Sequence, residues 1–386
     1  MCKSFFNTID AFNAQFIKVL EDICNIESPT DYKLGVDAVG AYIIDFSHKQ
    51  GFKTECFEQN IAGNVVCVTM NADSPKAPIV LSGHMDTVHK VGSFGTPAVR
   101  FENDKILGPG VCDCKGGIVA ALLAMVSLKQ CGYCDRPIML LLQSDEESNS
   151  KQSDKATVKY ICEKSKNAVA FLNMEPYSPG NACLLRKGII TYRFTVNGVA
   201  AHASKCANEG LNAIEEAVGK ILQIARLKDD DGVTCCCSLI YGGTVVNAVP
   251  DQCEFYVDAR FASADQQKWL QEKMQEIADH EEIKGCKTNL SVVSMRPAME
   301  NSDKNYKLLE CINNAFKTSG LPVLKAVKSN GGSDAAYISE RGIPCVDSLG
   351  VSGENIHSHD EFAFVDSLAE SAKRIAAIAD CFSNIR

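Results

Sequence analysis

The sequence predicts an α/β protein with two domains, in which a small α+β domain is inserted into a domain built on a mostly parallel sheet. The length of 386 residues exceeds what one ordinary hydrophobic core organises. Helical and strand patterns alternate over residues 1–182 and again over 295–386, as in a parallel α/β sheet. Residues 183–294 instead show the order βαββαβ, which is typical of an α+β sandwich.

The composition is that of a soluble globular protein, and it argues against two classes of partner. Apolar residues make up 46% of the chain and charged residues 23%. The net charge of −9 and the lack of a basic stretch argue against nucleic acid and against an anionic membrane surface. No apolar run reaches the roughly 18 residues of a membrane-spanning helix. We therefore expect neither nucleic acid nor membrane as a partner.

The cysteine content indicates a reducing compartment. The chain has 19 cysteines, an odd number, and those at 235–237 are consecutive. Asp10 interrupts the early apolar stretch, and Glu21 and Asp22 follow it, which argues against a signal peptide. Free thiols without a secretory leader are typical of the cytoplasm, where we expect this protein to act.

The elements of the first domain follow from apolar periodicity and turn residues. Phe12, Phe16, Val19 and Ile23 form the apolar stripe of a first helix. The further predicted elements are a helix to about residue 49, strands over 53–57, 63–70 and 78–82, a helix over 118–128, and strands over 137–142 and 168–172.

The inserted domain has a different sequence pattern, which predicts strands with alternating apolar residues and two helices. Its predicted elements are a strand over 189–196, a helix over 210–227, a strand rich in Cys, Ser, Leu and Ile, a strand over 253–261, a helix over 265–280 and a strand over 289–294. The first domain then resumes with a helix over 306–319, a strand over 345–349 and an amphipathic helix over 366–385.

Polar side chains that can bind metal follow the ends of several apolar strands. In chain order, these side chains are His84 and Asp86, then Glu146 and Glu147, and then Glu175. The carboxyl ends of parallel strands meet at one edge of a sheet, so we expect these groups to lie close together. His84 and Asp86 are two residues apart and face the same side of an extended chain, which suits a carboxylate that orients a histidine ring.

Two further candidates lie outside these strands. Asp113 sits in the glycine-rich loop 108–117, just before an apolar helix, where the alternative is a helix-capping role. His357 occurs late in the chain. For the acidic run Asp145–Glu147, a solvated turn is the alternative to a metal site.

Together these side chains suit two zinc ions bound by nitrogen and oxygen, with cobalt or manganese as possible substitutes. An acid shared by both ions would hold them about 3.5–4 Å apart. The charges of the ions would offset the repulsion among the acids. One carboxylate would remain as a general base that takes a proton from water.

The motifs, in their common order, resemble the M20 family of metallopeptidases, and most of all its glutamate carboxypeptidase G2-like branch. The matching stretches run nearly from end to end and are SGHMDTV, GPGVCDCKGG, SDEES, NMEP, AAHAS, GGTVVNAVP, VDAR, SMRPA, GGSDAAY and ENIHSHDEF. The resemblance implies that Asp113 bridges two zinc ions, with His84 and Glu175 completing one and Glu147 and His357 the other. It also implies that Asp86 orients His84 and that Glu146 activates the bridging water and then protonates the leaving nitrogen.

The resemblance also implies that the inserted domain acts as a lid and forms the dimer interface. His202 matches a histidine that reaches the active site of the partner subunit in dimeric relatives, with a packing role as the alternative. Asn247 and Arg260 match positions associated with substrate binding, although Arg260 could equally form a structural ion pair. The loop of Gly331, Gly332 and Ser333 could bind a carboxylate through its backbone amides, or could be a tight turn.

The function implied is that of a cytoplasmic di-zinc hydrolase, a homodimer that cleaves an amide bond next to a free C-terminal carboxylate. Its substrate would be a small peptide or an N-acyl amino acid. The alternatives are an N-acyl-amino-acid deacylase of the acetylornithine or succinyl-diaminopimelate type, an inactive binding protein with the same fold, and a thiol redox protein. Cys114 departs from the family pattern, in which an acid, amide or Met follows the bridging Asp, and its thiol could bind metal or be oxidised.

Overall fold

The computed structural model describes residues 2–228 and 232–383, and the chain divides into two compact units. The first unit contains Met1–Leu184, Asn301–Lys328 and Tyr337–Arg386. The second unit contains Leu185–Glu300 together with Ser329–Ala336.

Both units contain α-helices and β-strands. The α-helices are α1 (Cys2–Cys24), α2 (Lys33–Lys49), α3 (Lys115–Gln130), α4 (Ala156–Ser165), α5 (Ala213–Ile224), α6 (Ala264–Asp279), α7 (Asp303–Ser319), α8 (Ala335–Glu340) and α9 (Ser367–Ser383). The strands are β1 (Lys53–Phe57), β2 (Val65–Met70), β3 (Ile79–His84), β4 (Arg100–Glu102), β5 (Lys105–Leu107), β6 (Ile138–Gln143), β7 (Ala170–Asn173), β8 (Asn181–Arg186), β9 (Gly188–Asn197), β10 (Ala201–His202), β11 (Thr234–Gly242), β12 (Ala248–Val249), β13 (Gln252–Phe261), β14 (Lys287–Arg296), β15 (Lys325–Ser329), β16 (Cys345–Val346), β17 (Gly353–Glu354) and β18 (Phe362–Phe364).

A six-stranded sheet of order β1-β2-β6-β3-β7-β16 forms the centre of the first unit. The strands β6, β3, β7 and β16 run parallel, while β1 and β2 add an antiparallel edge. β3 is buried along its whole length, as expected for a strand covered on both faces. The prediction of a mostly parallel α/β sheet is therefore confirmed.

Helix α3 begins three residues earlier than predicted, because two glycines that suggested a loop belong to its first turn. A side chain at Gly117 would place its Cβ 2.0 Å from the carbonyl oxygen of Met174, just after β7. Glycine is needed here for close approach of the helix to the strand end. The packing fixes the start of α3 beside Glu175.

The predicted strand over 345–349 is shorter in the structure and ends at Val346. Asp347 instead exchanges backbone hydrogen bonds with Cys183, at 3.1 and 3.0 Å, and Ser348 has a φ of 64°. The chain therefore turns away from the sheet. The predicted end of the last helix, at Ile385, lies outside the described residues.

The second unit is built on a four-stranded antiparallel sheet of order β11-β13-β9-β14. With α5 and α6, it has the chain order β9–α5–β11–β13–α6–β14, which is the predicted βαββαβ arrangement. Alternate residues of β9 and β13, such as Phe194 and Phe255, pack in its core, and these two rings stack at 4.6 Å. Within the part of the chain that is described, no helix has the length and apolar character needed to cross a membrane.

Candidate metal centre

Strand register in the central sheet brings the predicted strand ends together. His84 at the end of β3 lies opposite Gln143 at the end of β6, and Ser82 lies opposite Asn173 at the end of β7. The segments that follow β6 and β7 therefore emerge at the same sheet edge as His84. They carry Glu146 and Glu147 in one case and Glu175 in the other.

Asp113 faces two histidines with its two carboxylate oxygens. Its Oδ1 lies 3.1 Å from Nε2 of His84, and its Oδ2 lies 3.2 Å from Nε2 of His357. Asp113 does not cap α3, because the N-cap residue is Cys114 and no side chain caps that helix end. The Asp113–Cys114 peptide is cis.

Each histidine has a second carboxylate close to the same nitrogen. Nε2 of His84 lies 3.7 Å from Oε1 of Glu175, and Nε2 of His357 lies 3.4 Å from Oε2 of Glu147. The five side chains thus form two groups of donor atoms that share Asp113.

The donor set fits divalent metal ions. Two donors bound about 2.0 Å from a tetrahedral ion lie about 3.3 Å apart, close to the spacings seen here. Nδ1 of His84 donates a hydrogen bond to the backbone carbonyl of Asp86 at 2.9 Å, which leaves Nε2 as the nitrogen that can bind metal. His84, Asp113 and Glu147 also form a group whose donor atoms all lie within 4.8 Å of one another.

The electrostatics of the site favour a cation between these acids. Burial, followed by the charges of Asp113 and Glu146, raises the pKa of Glu175 well above its usual range. Burial also raises the pKa of Glu147 to about 7. Hydrogen bonds to Asp113 and Glu147 raise the pKa of His357 to about 10. The cluster thus holds more negative charge than its buried position favours, and bound cations would offset it.

Asp86 holds the segment that carries Glu146 and Glu147. Its Oδ1 accepts the backbone N–H of Glu146 at 3.2 Å, and its Oδ2 accepts that of Glu147 at 3.1 Å. Thr30 adds a hydroxyl hydrogen bond at 2.7 Å. The carboxylate also contacts the ring of His84, with its Oδ1 3.5 Å from Nδ1, and the carbonyl of Asp86 is closer to the same nitrogen at 2.9 Å. The orienting role of the Asp86 carboxylate stays a prediction.

Cys114 lies in the wall of the cluster. Its thiol is buried and donates a hydrogen bond to the carbonyl of Met174 at 3.1 Å. Its Sγ, a nitrogen of His84 and an oxygen of Glu175 lie within 4.8 Å of one another. Whether the thiol binds metal stays a prediction.

The sequence analysis missed Glu361 and His89, which support the loop of Asp113. The Glu361 carboxylate accepts the backbone N–H of Asp113 at 3.0 Å, and Nε2 of His89 lies 2.9 Å from its Oε2. Only the spacing from His357 to Glu361 in the closing motif hinted at this role. His359, between them, stacks against Phe94 with ring centroids 5.5 Å apart.

In the second unit, His202 and Asn247 are brought together by the pairing of β10 with β12. His202 lies opposite Ala248, and Ala203 donates its N–H to the carbonyl of Asn247 at 2.9 Å. Nδ1 of His202 accepts the backbone N–H of Ser204 at 3.3 Å and lies 2.8 Å from its hydroxyl. Since Nδ1 accepts, Nε2 carries the ring proton and can donate it to a substrate oxygen.

Arg260 and the glycine loop also lie in the second unit. Arg260 forms a two-pronged ion pair with Asp258, at 2.7 and 3.2 Å, as the structural alternative anticipated. Its Nη1 also donates to the carbonyl of Asn330 at 3.4 Å, beside Gly331 and Gly332. Ser333 is buried, and its hydroxyl accepts the N–H of Ala335 at 3.2 Å, as in a capping turn.

Comparison with known proteins gives consistent results over nearly the whole chain. The model of "Peptidase family M20/M25/M40" matches residues 80–380. Carboxypeptidase G2 of Pseudomonas sp. (strain RS-16) is 29% identical over 356 residues, covering 91% of this chain and 84% of its own. A succinyl-diaminopimelate desuccinylase of Rickettsia massiliae is 23% identical, with 92% and 96% covered.

Solved structures share the fold. A tripeptidase from Staphylococcus aureus superposes with a TM-score of 0.79 at 21% identity, covering 96% of this chain and 98% of its own. An M20 family metallo-carboxypeptidase from Sulfolobus solfataricus gives a TM-score of 0.75 at 16% identity, with 95% and 99% covered. The chain therefore belongs to the peptidase family M20/M25/M40 and is a metallohydrolase of that family.

Proposed function

We propose that this protein is a di-zinc hydrolase that cleaves the amide bond next to a free C-terminal carboxylate and releases an amino acid. The observation that carries the proposal is the position of Asp113, whose two oxygens face His84 and His357 at 3.1 and 3.2 Å. An acid in this position can serve two ions at once. Cobalt or manganese could replace zinc at such ligands.

The residues of this chain then divide the work between binding and proton transfer. His84, Asp113, Glu147, Glu175 and His357 would hold the ions. When bound, the ions supply Lewis acidity at the carbonyl group and make water more acidic. Glu146 takes the proton of the attacking water and delivers it to the leaving nitrogen. Its backbone is held by Asp86, and its side chain is buried beside the ligands, which supports this assignment.

The second unit would recognise the rest of the substrate, as a lid and dimerisation domain. His202 presents Nε2–H and would stabilise the oxyanion that forms at the carbonyl. Arg260, Asn247 and the loop from Gly331 to Ser333 would bind the substrate, including its free carboxylate. Arg260 already shares its charge with Asp258, so we expect it to act together with the loop amides.

A second candidate function is that of an N-acyl-amino-acid deacylase. Its support is the similarity to succinyl-diaminopimelate desuccinylases, one of which matches nearly end to end. The same cluster would serve both reactions, because both cleave an amide next to a carboxylate-bearing group.

Substrate turnover tests these possibilities. The purified protein is incubated with dipeptides, N-acetyl amino acids and N-succinyl amino acids, with and without a chelator followed by added zinc. Zinc-dependent cleavage of dipeptides is expected. Cleavage of the acylated compounds alone would establish the deacylase. Zinc binding without any cleavage would leave an inactive binding protein, and chelator-resistant activity that thiol alkylation abolishes would indicate thiol chemistry.

We also propose that the protein forms a homodimer through the second unit. Large apolar residues are exposed on α5 and on β11, namely Val218, Leu222, Leu239, Ile240 and Tyr241. β11 is an edge strand of its sheet, so its outer side can pair with a second copy. Exposed apolar residues on and beside an edge strand are typical of a surface that binds another protein chain.

Light scattering of the purified protein tests the dimer. Leu222→Glu should convert it to a monomer. Val292→Glu is a matched control, since Val292 is exposed on the opposite edge strand β14, and it should leave the mass unchanged. A wild-type monomer would refute the proposal.

We also propose that the protein acts in the cytoplasm, on the basis of the high cysteine content alone.

A further inference from the structure

Glu361 is a buried carboxylate that takes no part in the proposed metal centre. Only 1% of the residue is exposed. Its Oε1 accepts the backbone N–H groups of Cys112 and Asp113, both at 3.0 Å, and its Oε2 accepts that of Gly110 at 3.1 Å. The ring of His89, also buried, contacts Oε2 at 2.9 Å. Four donors therefore converge on one side chain.

The loop that carries Asp113 forms a binding site for an anion, and the chain fills it with its own carboxylate. Consecutive backbone N–H groups that point to one side, as those of Cys112 and Asp113 do, create a concave anion site. Hydrogen bonds to an ionised carboxylate are shorter and stronger than those between neutral groups. The carboxylate oxygens of Glu361 therefore hold the conformation of residues 110–113.

Glu361 also belongs to the segment that carries His357. Its backbone N–H donates to the carbonyl of Ser358 at 3.2 Å, which closes the turn after His357. Its carbonyl accepts the N–H of Gly108 at 3.3 Å. One residue thus binds the loop of Asp113 through both its side chain and its backbone, and holds that loop against the segment of His357.

We infer that Glu361 is a positioning residue that sets the spacing between Asp113 and His357, and through it the metal affinity of the site. This inference rests on the proposed metal centre. Oδ2 of Asp113 and Nε2 of His357 lie 3.2 Å apart, and each belongs to a segment that Glu361 contacts directly. Residues that orient metal ligands in this way typically contribute about 10–100-fold to metal affinity.

Glu361→Gln removes the charge with little change of shape. The amide oxygen can replace one carboxylate oxygen, but the NH₂ group then faces the donors of Gly110 or His89. Asp360→Asn is the matched control, because it makes the same chemical change one residue away. The side chain of Asp360 is 80% exposed and its nearest cation, Arg100, is 3.8 Å distant.

Two measurements on metal-free protein test the inference. Competition with a chromogenic chelator gives the zinc affinity, and hydrogen exchange with mass spectrometry gives the protection of residues 108–114. We expect Glu361→Gln to bind zinc about 10–100-fold more weakly and to lose protection in this segment. We expect Asp360→Asn to match the wild type in both.

Unchanged zinc affinity in folded Glu361→Gln would overturn the inference, as would an equal loss in Asp360→Asn. If Glu361→Gln does not fold, His89→Leu and His89→Gln replace it. His89→Leu removes one donor to Glu361 and should weaken zinc binding, whereas His89→Gln keeps an N–H group and should weaken it less. Equal affinities in this pair would also overturn the inference.

Zinc binding and hydrolysis by the wild-type protein distinguish a failure of the proposed function from a failure of the inference about Glu361. Absence of zinc binding by the wild-type protein would overturn the proposed metal centre and the inferred effect on affinity together. Normal zinc binding with no hydrolysis of any amide would refute the proposed reaction and leave the inference about Glu361 intact.

Discussion

The carboxylate of Asp86 accepts the backbone N–H of Glu147 at 3.1 Å. Asp86, in the segment after β3, thereby holds Glu147, in the segment after β6. The other carboxylate oxygen of Asp86 accepts the backbone N–H of Glu146 in the same way. Asp86→Asn should therefore misplace both glutamates, because an amide nitrogen would face a backbone donor. We expect a loss of about 10–100-fold in activity or zinc affinity. Steady-state kinetics and metal analysis check this, and wild-type values for both would refute the role.

Glu146→Gln should separate proton transfer from metal binding. The change removes the base and leaves all five proposed ligands in place. We expect the zinc content to stay at the wild-type value while kcat falls about 10³-fold. Metal analysis and kinetics on the same preparation decide the outcome, and near-normal turnover would exclude Glu146 as the base.

His357 and His359 offer a matched pair for the metal ligands. His357 faces Asp113 and Glu147, whereas His359 stacks on Phe94. His357→Ala should lower the number of zinc ions per chain, and His359→Ala should not, because a ligand is removed only in the first. Elemental analysis after dialysis measures both, and equal zinc contents would contradict the assignment.

Zinc uptake by metal-free protein should release protons. In that state, hydrogen bonds to Asp113 and Glu147 raise the pKa of His357 to about 10, and burial raises the pKa of Glu147 to about 7. Both groups must be deprotonated to bind metal, so affinity should rise with pH. For each proton released on binding, the zinc affinity should rise about tenfold per pH unit. Calorimetry in buffers of different ionisation enthalpy counts the protons, and a pH-independent affinity would contradict the prediction.

His202→Ala should slow turnover by about 10²–10³-fold without changing the zinc content, if Nε2–H stabilises an oxyanion. Ser204→Ala should have a smaller effect, because the backbone N–H at that position still reaches Nδ1 of His202. Kinetics on both variants test the order. An unchanged rate in His202→Ala would return this histidine to a packing role.

Parts of the site were predictable because strand ends are visible in the sequence. His84, Glu147 and Glu175 follow apolar runs, and parallel pairing brings such ends to one edge. Asp113 and His357 lie in loops, where spacing carries no such information. Their assignment depended on the resemblance to a family.

The contacts of Glu361 show what residue types alone do not reveal. Three of its four donors are backbone N–H groups, which every non-proline residue possesses, so no residue type marks the far side of the contact. Gly116 and Gly117 gave a misleading signal, because glycines suggested a loop at a place where they permit tight packing of a helix. In both cases tertiary contact, not local propensity, determined the outcome.

The first unit is assembled from segments that are made at very different times. The central sheet needs β16, and α9 packs on α1 and α3, so a nascent chain that has reached Glu175 still lacks part of its core. At about 5–20 residues per second, His357 leaves the ribosome roughly 10–40 s after Glu175. During that interval the acids at the sheet edge are present without the second histidine. The five proposed metal ligands are therefore complete only after synthesis has passed His357, so the proposed metal centre cannot form before β16 has been made.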